Sequence, residues 1–186
     1  DLTLVGYSLG MCIYGYSGTV PVTMDQCIWH SEAVRRGAPN TFIIGDMPFL
    51  SYQVSVPEAV RNAGRFHKEA GVDAIKLEGG VRVCPQIQAI ADGGMLVMGH
   101  IGLTPQSVHR MGGHKVQGRR RGSAPGQRER VLADAQAVET SWETDRPESR
   151  ILPLRSAMSF ASINSWSTAG TGSCQISSSS GTSGPR

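Results

Sequence analysis

Four residues of this chain could do chemistry together: Asp46, Lys76, Glu78 and His100. Each ends or follows a short apolar run, and charge in such surroundings is costly to bury without a partner or a metal. Two carboxylates are hard oxygen donors that suit Mg²⁺, and the ion in turn suits a substrate that brings oxygens of its own. A 2-oxo acid fits, because a metal held by its carboxylate and keto oxygens polarises the carbonyl and stabilises the enolate formed when the neighbouring carbon loses a proton. Lys76 adds a cation for the substrate's charge. Taken singly, each residue has a plainer reading: Asp46 as a turn cap before Met47 and Pro48, Lys76 with Glu78 as an ion pair on one strand face, His100 as a core histidine. Their recurrence at matching points of successive units favours the functional one.

The elements that must position them repeat four times. Leu4-Val5 runs into Gly6-Tyr7-Ser8, Phe42-Ile43-Ile44 into Gly45-Asp46, Ala74-Ile75 into Lys76-Leu77-Glu78, and Leu96-Val97-Met98 into Gly99-His100. The last run is expected to be a strand buried on both faces, so that Gly99 and His100 emerge where it ends. Between the runs lie helices. Thr23 to Gln26 has the pattern of a capping box opening a helix that stops at Gly37, and Ser55 to Glu58 opens another that stops at Gly71. In the second, Ala59, Val60, Ala63, Phe66 and Ala70 share one face, while Arg61, Asn62, Arg65, Lys68 and Glu69 fall largely on the other. Repeated βα units with short loops imply a parallel sheet, doubly wound or closed as a (β/α)8 barrel. No glycine-rich phosphate loop follows any strand, and the polar residues are spread over four strand ends, which favours the barrel.

At the level of motifs the chain resembles a known family. The segments Leu4 to Met11, Thr19 to Thr23, Gly45 to Phe49, Ile75 to Gly80, Gly99 to Gln106 and Gly112 to Arg119 are similar to ketopantoate hydroxymethyltransferase, in the family's order and spacing over residues 3–119. The resemblance implies a (β/α)8 TIM barrel enzyme of pantothenate synthesis, cytoplasmic and homo-oligomeric. It would use Mg²⁺ to enolise 3-methyl-2-oxobutanoate and add a hydroxymethyl group from 5,10-methylenetetrahydrofolate, giving 2-dehydropantoate. Carried over by motif, Asp46 and Glu78 are metal carboxylates. Tyr7, Ser8, Asp46 and Lys76 are substrate contacts, and His100 lies near the site. The family's general-base glutamate has no counterpart, so no catalytic residue is assigned.

Three departures qualify the likeness. Tyr7 stands where the family motif reads Gly-Asp-Ser and the aspartate binds metal; a phenol with a pKa of about 10 is a poor Mg²⁺ ligand, so weak metal binding and little activity are expected. The chain has 186 residues and begins at what would be the second barrel strand, whereas such barrels take about 250 residues, so a partial barrel with open sheet edges is expected. From Arg119 to Arg130 arginine is frequent and no apolar period appears; from Ile151 onward 11 of 36 residues are serine and only Arg155 and Arg186 are charged. Such composition does not offset chain entropy, which divides the chain into a partial barrel, 1–139, and a Ser/Gly-rich, irregular or disordered tail, 140–186. Between these stretches Val131 to Glu139 again resembles the family's next helix. A match that fails, returns in place and fails again points to a shifted reading frame, and translation of the other frames should then recover family-like strands.

Net charge is +3, with 39% hydrophobic and 18% charged residues, which suits a soluble domain with an irregular end. No apolar stretch reaches membrane length, and no secretory signal is expected. Cys12, Cys27, Cys84 and Cys174 lack C-x-x-C spacing and are expected to be buried free thiols. Clustered arginines, Arg119, Arg120, Arg121, Arg128 and Arg130, could contact phosphates, but without an aromatic residue among them no nucleic-acid partner is expected. The alternatives to the transferase are a non-catalytic barrel remnant serving as an assembly subunit, and another barrel lyase acting on 2-oxo acid enolates.

Overall fold

The four apolar runs pair as one parallel sheet: β1 (Leu2–Val5), β2 (Phe42–Asp46), β3 (Ala74–Glu78) and β4 (Leu96–His100). The structure, a computed structural model, describes residues 1–114, 117–118 and 125–141. Spatial order follows chain order, β1-β2-β3-β4. Among the described strands that order contains no reversal, the feature that opens a crevice in doubly wound sheets. Parallel strands need crossovers, and here helices supply them. The sequence division at residue 140 and the tail beyond it fall outside the described residues, apart from Thr140 and Ser141.

Helix α1 (Leu9–Cys12) is a single turn, and α2 (Met24–Gly37) forms as its capping box requires. Thr23 Oγ1 accepts from Gln26 N–H at 3.2 Å, and Gln26 Oε1 accepts from Thr23 N–H at 2.9 Å. Helix α3 (Val56–Glu69) has half of that device: Ser55 Oγ accepts from Glu58 N–H at 3.3 Å. Gly71, at φ +63, takes the left-handed turn that ends it. Ala59, Ala63, Phe66 and Ala70 are buried, as their spacing predicts.

Two further helices follow. Helix α4 (Cys84–Asp92) buries Ile87 and Ile90, and α5 (Gln127–Thr140) packs Val138 on the core. The first turn of α5 corrects the sequence reading, since Gln127 to Arg130 are helical despite lacking an apolar period. Arg128, Glu129 and Arg130 are exposed there, and an exposed turn needs only residues of good helix propensity.

The helices press their apolar faces onto β2 and β3, where Ile43, Ile75 and Leu77 are fully buried. Gly45 makes the approach of α3 possible: a Cβ there would lie 2.6 Å from the Phe66 ring. The edge strands differ. Leu2, Leu4 and Leu96 are 55%, 45% and 43% exposed, so the expectation that β4 is buried on both faces is wrong. Among the described residues β4 has a neighbour on one side only, which leaves its outer edge open. Two thiols also depart from expectation, as Cys12 is exposed and Cys84 is half-buried. Cys27 is buried, and burial, helped by the charge of Asp46, pushes its thiol up to about 12.

Where the strands begin, Arg35 of α2 ties the loops together. Its guanidinium donates to the carbonyls of Gly71, Pro39 and Thr41 and to Asp73 Oδ2, the last at 2.5 Å. Asp73 Oδ2 also accepts from Ile43 N–H at 2.7 Å. Partial desolvation of Asp73 raises its carboxyl pKa, but these hydrogen bonds outweigh it and hold the group below the usual carboxylate range.

Candidate functional site

Register decides which side chains meet. Asp46 ends β2 opposite Lys76 of β3, and Glu78, two residues on, stands opposite His100 of β4. Lys76 and Glu78 share a strand face, yet they do not pair with each other as the plainer sequence reading allowed. Lys76 Nζ donates to Asp46 Oδ2 at 2.7 Å, both side chains being nearly closed to solvent. His100 Nδ1 approaches Glu78 Oε1 to 3.4 Å without the alignment of a hydrogen bond. The strands thus gather all four residues into two neighbouring pairs.

The arrangement leaves acceptors over. Asp46 Oδ1 and Glu78 Oε1 are buried and have no hydrogen-bond partner. Burial pushes the Asp46 carboxyl above the ordinary range, and the charge and hydrogen bond of Lys76 pull against that. An unsatisfied buried oxygen costs about 1–3 kcal/mol, and two of them at the ends of neighbouring strands are a reason to look for a ligand.

The end of β1 completes the wall. Tyr7 is 4% exposed and belongs to the core, with Lys76 Nζ 5.5 Å from its ring centroid, a cation–π distance. Ser8 is exposed, and Gly6 between strand and serine lies so near Asp46 that a Cβ would stand 3.5 Å from Asp46 Oδ2 and from Ser8 Oγ. Residues 7, 46, 76, 78 and 100 are therefore brought together at one end of the sheet, with Ser8 at its rim.

Two loop residues that were given no role in the sequence reading hold this end closed. Tyr52, fully buried in the loop after β2, places its hydroxyl 3.0 Å from Glu78 N–H, 2.9 Å from the Glu78 carbonyl and 3.0 Å from Gln106 Oε1. Burial raises the pKa of its phenol, so it stays protonated. Gln106, in the short 3₁₀ turn Pro105–Ser107 after β4, donates its backbone N–H to Glu78 Oε2 at 3.1 Å. Gln106 lies inside the motif Gly99 to Gln106, but nothing local to that motif says which strand it will touch.

A hard divalent cation takes oxygen ligands, and the two unpartnered carboxylate oxygens offer them. Among the described residues no group of three or more His, Cys, Asp or Glu side chains is placed to hold a metal. Mg²⁺ commonly keeps waters and substrate oxygens beside one or two carboxylates, so Asp46 and Glu78 fit it without a third. A separate cavity of about 80 Å³ opens beside the ends of β3 and β4, against Gly79, Gly80, Gly102 and Thr104, and none of the four charged candidates lines it. No helix among the described residues is long and apolar enough to cross a membrane.

A family model described as ketopantoate hydroxymethyltransferase matches residues 1–141, running past Arg119 and through Val131 to Glu139. The chain is 68% identical over 120 residues to the 3-methyl-2-oxobutanoate hydroxymethyltransferase of Alkaliphilus metalliredigens, covering 64% of this chain and 43% of that one. It is 55% identical over 138 residues to the protein of the same name from Moorella thermoacetica, covering 74% and 50%. With that of Pseudothermotoga lettingae the identity is 57% over 139 residues, covering 75% and 51%. The chain spans about half the length of the curated relatives it matches.

Proposed function

The chain belongs to the ketopantoate hydroxymethyltransferase family, and from that premise we propose that its strand-end site acts on 3-methyl-2-oxobutanoate, transferring a one-carbon unit from 5,10-methylenetetrahydrofolate. With water supplying the hydroxyl oxygen, the products are 2-dehydropantoate and tetrahydrofolate. The observation that carries this reading is the pair of buried, unpartnered oxygens, Asp46 Oδ1 and Glu78 Oε1, beside a buried lysine. In this reading the four strands are an arc of a (β/α)8 barrel, the enzyme is cytoplasmic and homo-oligomeric, and the site opens at the strands' carboxyl ends.

Asp46 and Glu78 would hold Mg²⁺, which when bound supplies a Lewis acid for the keto oxygen and so stabilises the enolate. Lys76 keeps a buried positive charge for the substrate carboxylate, and the Tyr7 ring beneath it shields that charge from water. Ser8 offers a hydroxyl at the rim, and His100 stands against Glu78. No described residue stands as the base that takes the proton.

Tyr7 is the residue that most limits this copy, since it fills with a neutral phenol a position where the family places a carboxylate. Calorimetric titration with Mg²⁺ tests this, together with NMR observation of deuterium exchange at C3 of 3-methyl-2-oxobutanoate. Tyr7→Asp is expected to raise Mg²⁺ affinity by about tenfold or more, the scale on which protein groups tune metal sites, and to speed exchange. Equal affinity and exchange in the two forms would count against the reading.

A further inference from the structure

The two loops that meet over β3 have more order than a covering needs. Gln106 is 7% exposed, and its four polar contacts reach the loop after β2 and the end of β3. Its Nε2 donates to the carbonyl of Met47, just past β2, at 2.8 Å. Its Oε1 accepts from Gln53 Nε2 at 2.9 Å and faces the Tyr52 hydroxyl at 3.0 Å. Its backbone N–H donates to Glu78 Oε2. The loop that supplies Tyr52 and Gln53 is itself pinned, because Asn62 Nδ2 donates to the Ser51 carbonyl at 2.7 Å and Ser51 Oγ to that of Pro48 at 2.7 Å. Within it Leu50 adopts φ +64, a conformation that a branched side chain rarely takes and that surrounding contacts must maintain.

The consequence falls on one carboxylate. Tyr52 holds the Glu78 backbone by its N–H, and the Gln106 backbone fixes Oε2, so Oε1 alone is left without a hydrogen bond, 3.4 Å from His100 Nδ1. The Gln106 side chain hydrogen-bonds to Met47, Tyr52 and Gln53 rather than to Glu78, and so fixes the turn from which its own N–H points. We propose that Gln106 is a positioning residue for Glu78: its amide, clasped by Met47, Tyr52 and Gln53, orients the turn that directs a single Glu78 oxygen into the site. The proposal rests on the reading of Glu78 as a metal carboxylate, but its geometry does not need the metal.

The test therefore begins without one. In the unchanged chain, NMR should place the Gln106 amide proton at low field, as a donor to a carboxylate, and Glu78→Gln should move it upfield. Gln106→Met should shift the Glu78 side-chain carboxyl carbon, and Gln106→Glu, nearly the same shape but unable to donate to Met47, should do the same. A Glu78 carboxyl resonance unmoved in both variants, or a Gln106 amide indifferent to Glu78→Gln, would overturn the proposal. A second arm measures Mn²⁺ affinity by electron paramagnetic resonance. Gln106→Met is expected to weaken it about tenfold, and to have no such effect once Glu78 is already Gln. A loss of equal size in both backgrounds would mean a general loosening of the fold and would also overturn the proposal. Absence of Mn²⁺ binding in the unchanged chain would sink the metal reading instead, leaving the amide and carboxyl resonances to decide the role of Gln106.

Discussion

The two ends of the same sheet treat charge in opposite ways. Where the strands begin, Arg35 makes four hydrogen bonds to three carbonyls and Asp73, and the Asp73 oxygen it meets is shared with a backbone N–H. Where the strands end, Asp46 and Glu78 each keep one buried oxygen without a partner. The first end closes loops onto one another, and its groups are partly open to water. The second places charge deeper and leaves it less satisfied, an arrangement that folding alone has no reason to keep. Strand beginnings close loops here, and strand ends keep buried oxygens that no hydrogen bond satisfies.

The sharpest way to break that contrast is to remove one partner of the buried pair. Lys76→Met strands the Asp46 carboxylate and is expected to cost about 3–5 kcal/mol in urea unfolding. The double change Asp46→Leu with Lys76→Met should recover most of that, since an apolar pair of similar volume commonly replaces a buried ion pair without loss. If the double variant is as unstable as the single, the pair is structural and the contrast fails. At the other end Arg35→Ala should cost less, about 1–2 kcal/mol for carbonyls and a carboxylate that water can partly reach; a larger loss than that of Lys76→Met would reverse the comparison.

The smallest effect is the most diagnostic, because its sign differs between the ends. The Asp46 pKa is raised in the folded state, so its contribution is complete below the ordinary carboxylate range and is lost as pH rises through the raised value. That of Asp73 is lowered, so its contribution is complete above that range and is lost as pH falls through the lowered value. Urea midpoints followed from acid to neutral pH should therefore show Asp73→Asn flattening the acid side of the profile. Asp46→Asn, made in the Lys76→Met background to avoid stranding the lysine, should flatten the side above the ordinary carboxylate range. The same slope change for both would remove the distinction.

What could be read from sequence was what is local. The Thr23 and Gln26 capping box is complete within four residues, and the apolar face of α3 within fifteen, so both were legible. So was the placing of Asp46, Lys76, Glu78 and His100 at strand ends, since Asp46 and His100 each follow an apolar run and Lys76 and Glu78 share a third. Their pairing was not, because register between parallel strands is fixed by crossover helices and packing, not by the residues at the pair. Tyr52 and Gln106 stayed hidden for the same reason: they come from loops after different strands and meet only over a third. The exposure of β4 was missed because an apolar run of four does not state whether a neighbour will cover its outer side.

The contact between Gly45 and Phe66 has a consequence for descent. Any side chain at position 45 must displace an aromatic ring in the core, while shrinking Phe66 first opens a void that costs about 3–5 kcal/mol. Neither substitution has a viable order on its own, so each residue holds the other to its present identity. Position 45 adjoins Asp46, and the backbone that presents this carboxylate is thereby kept from drifting.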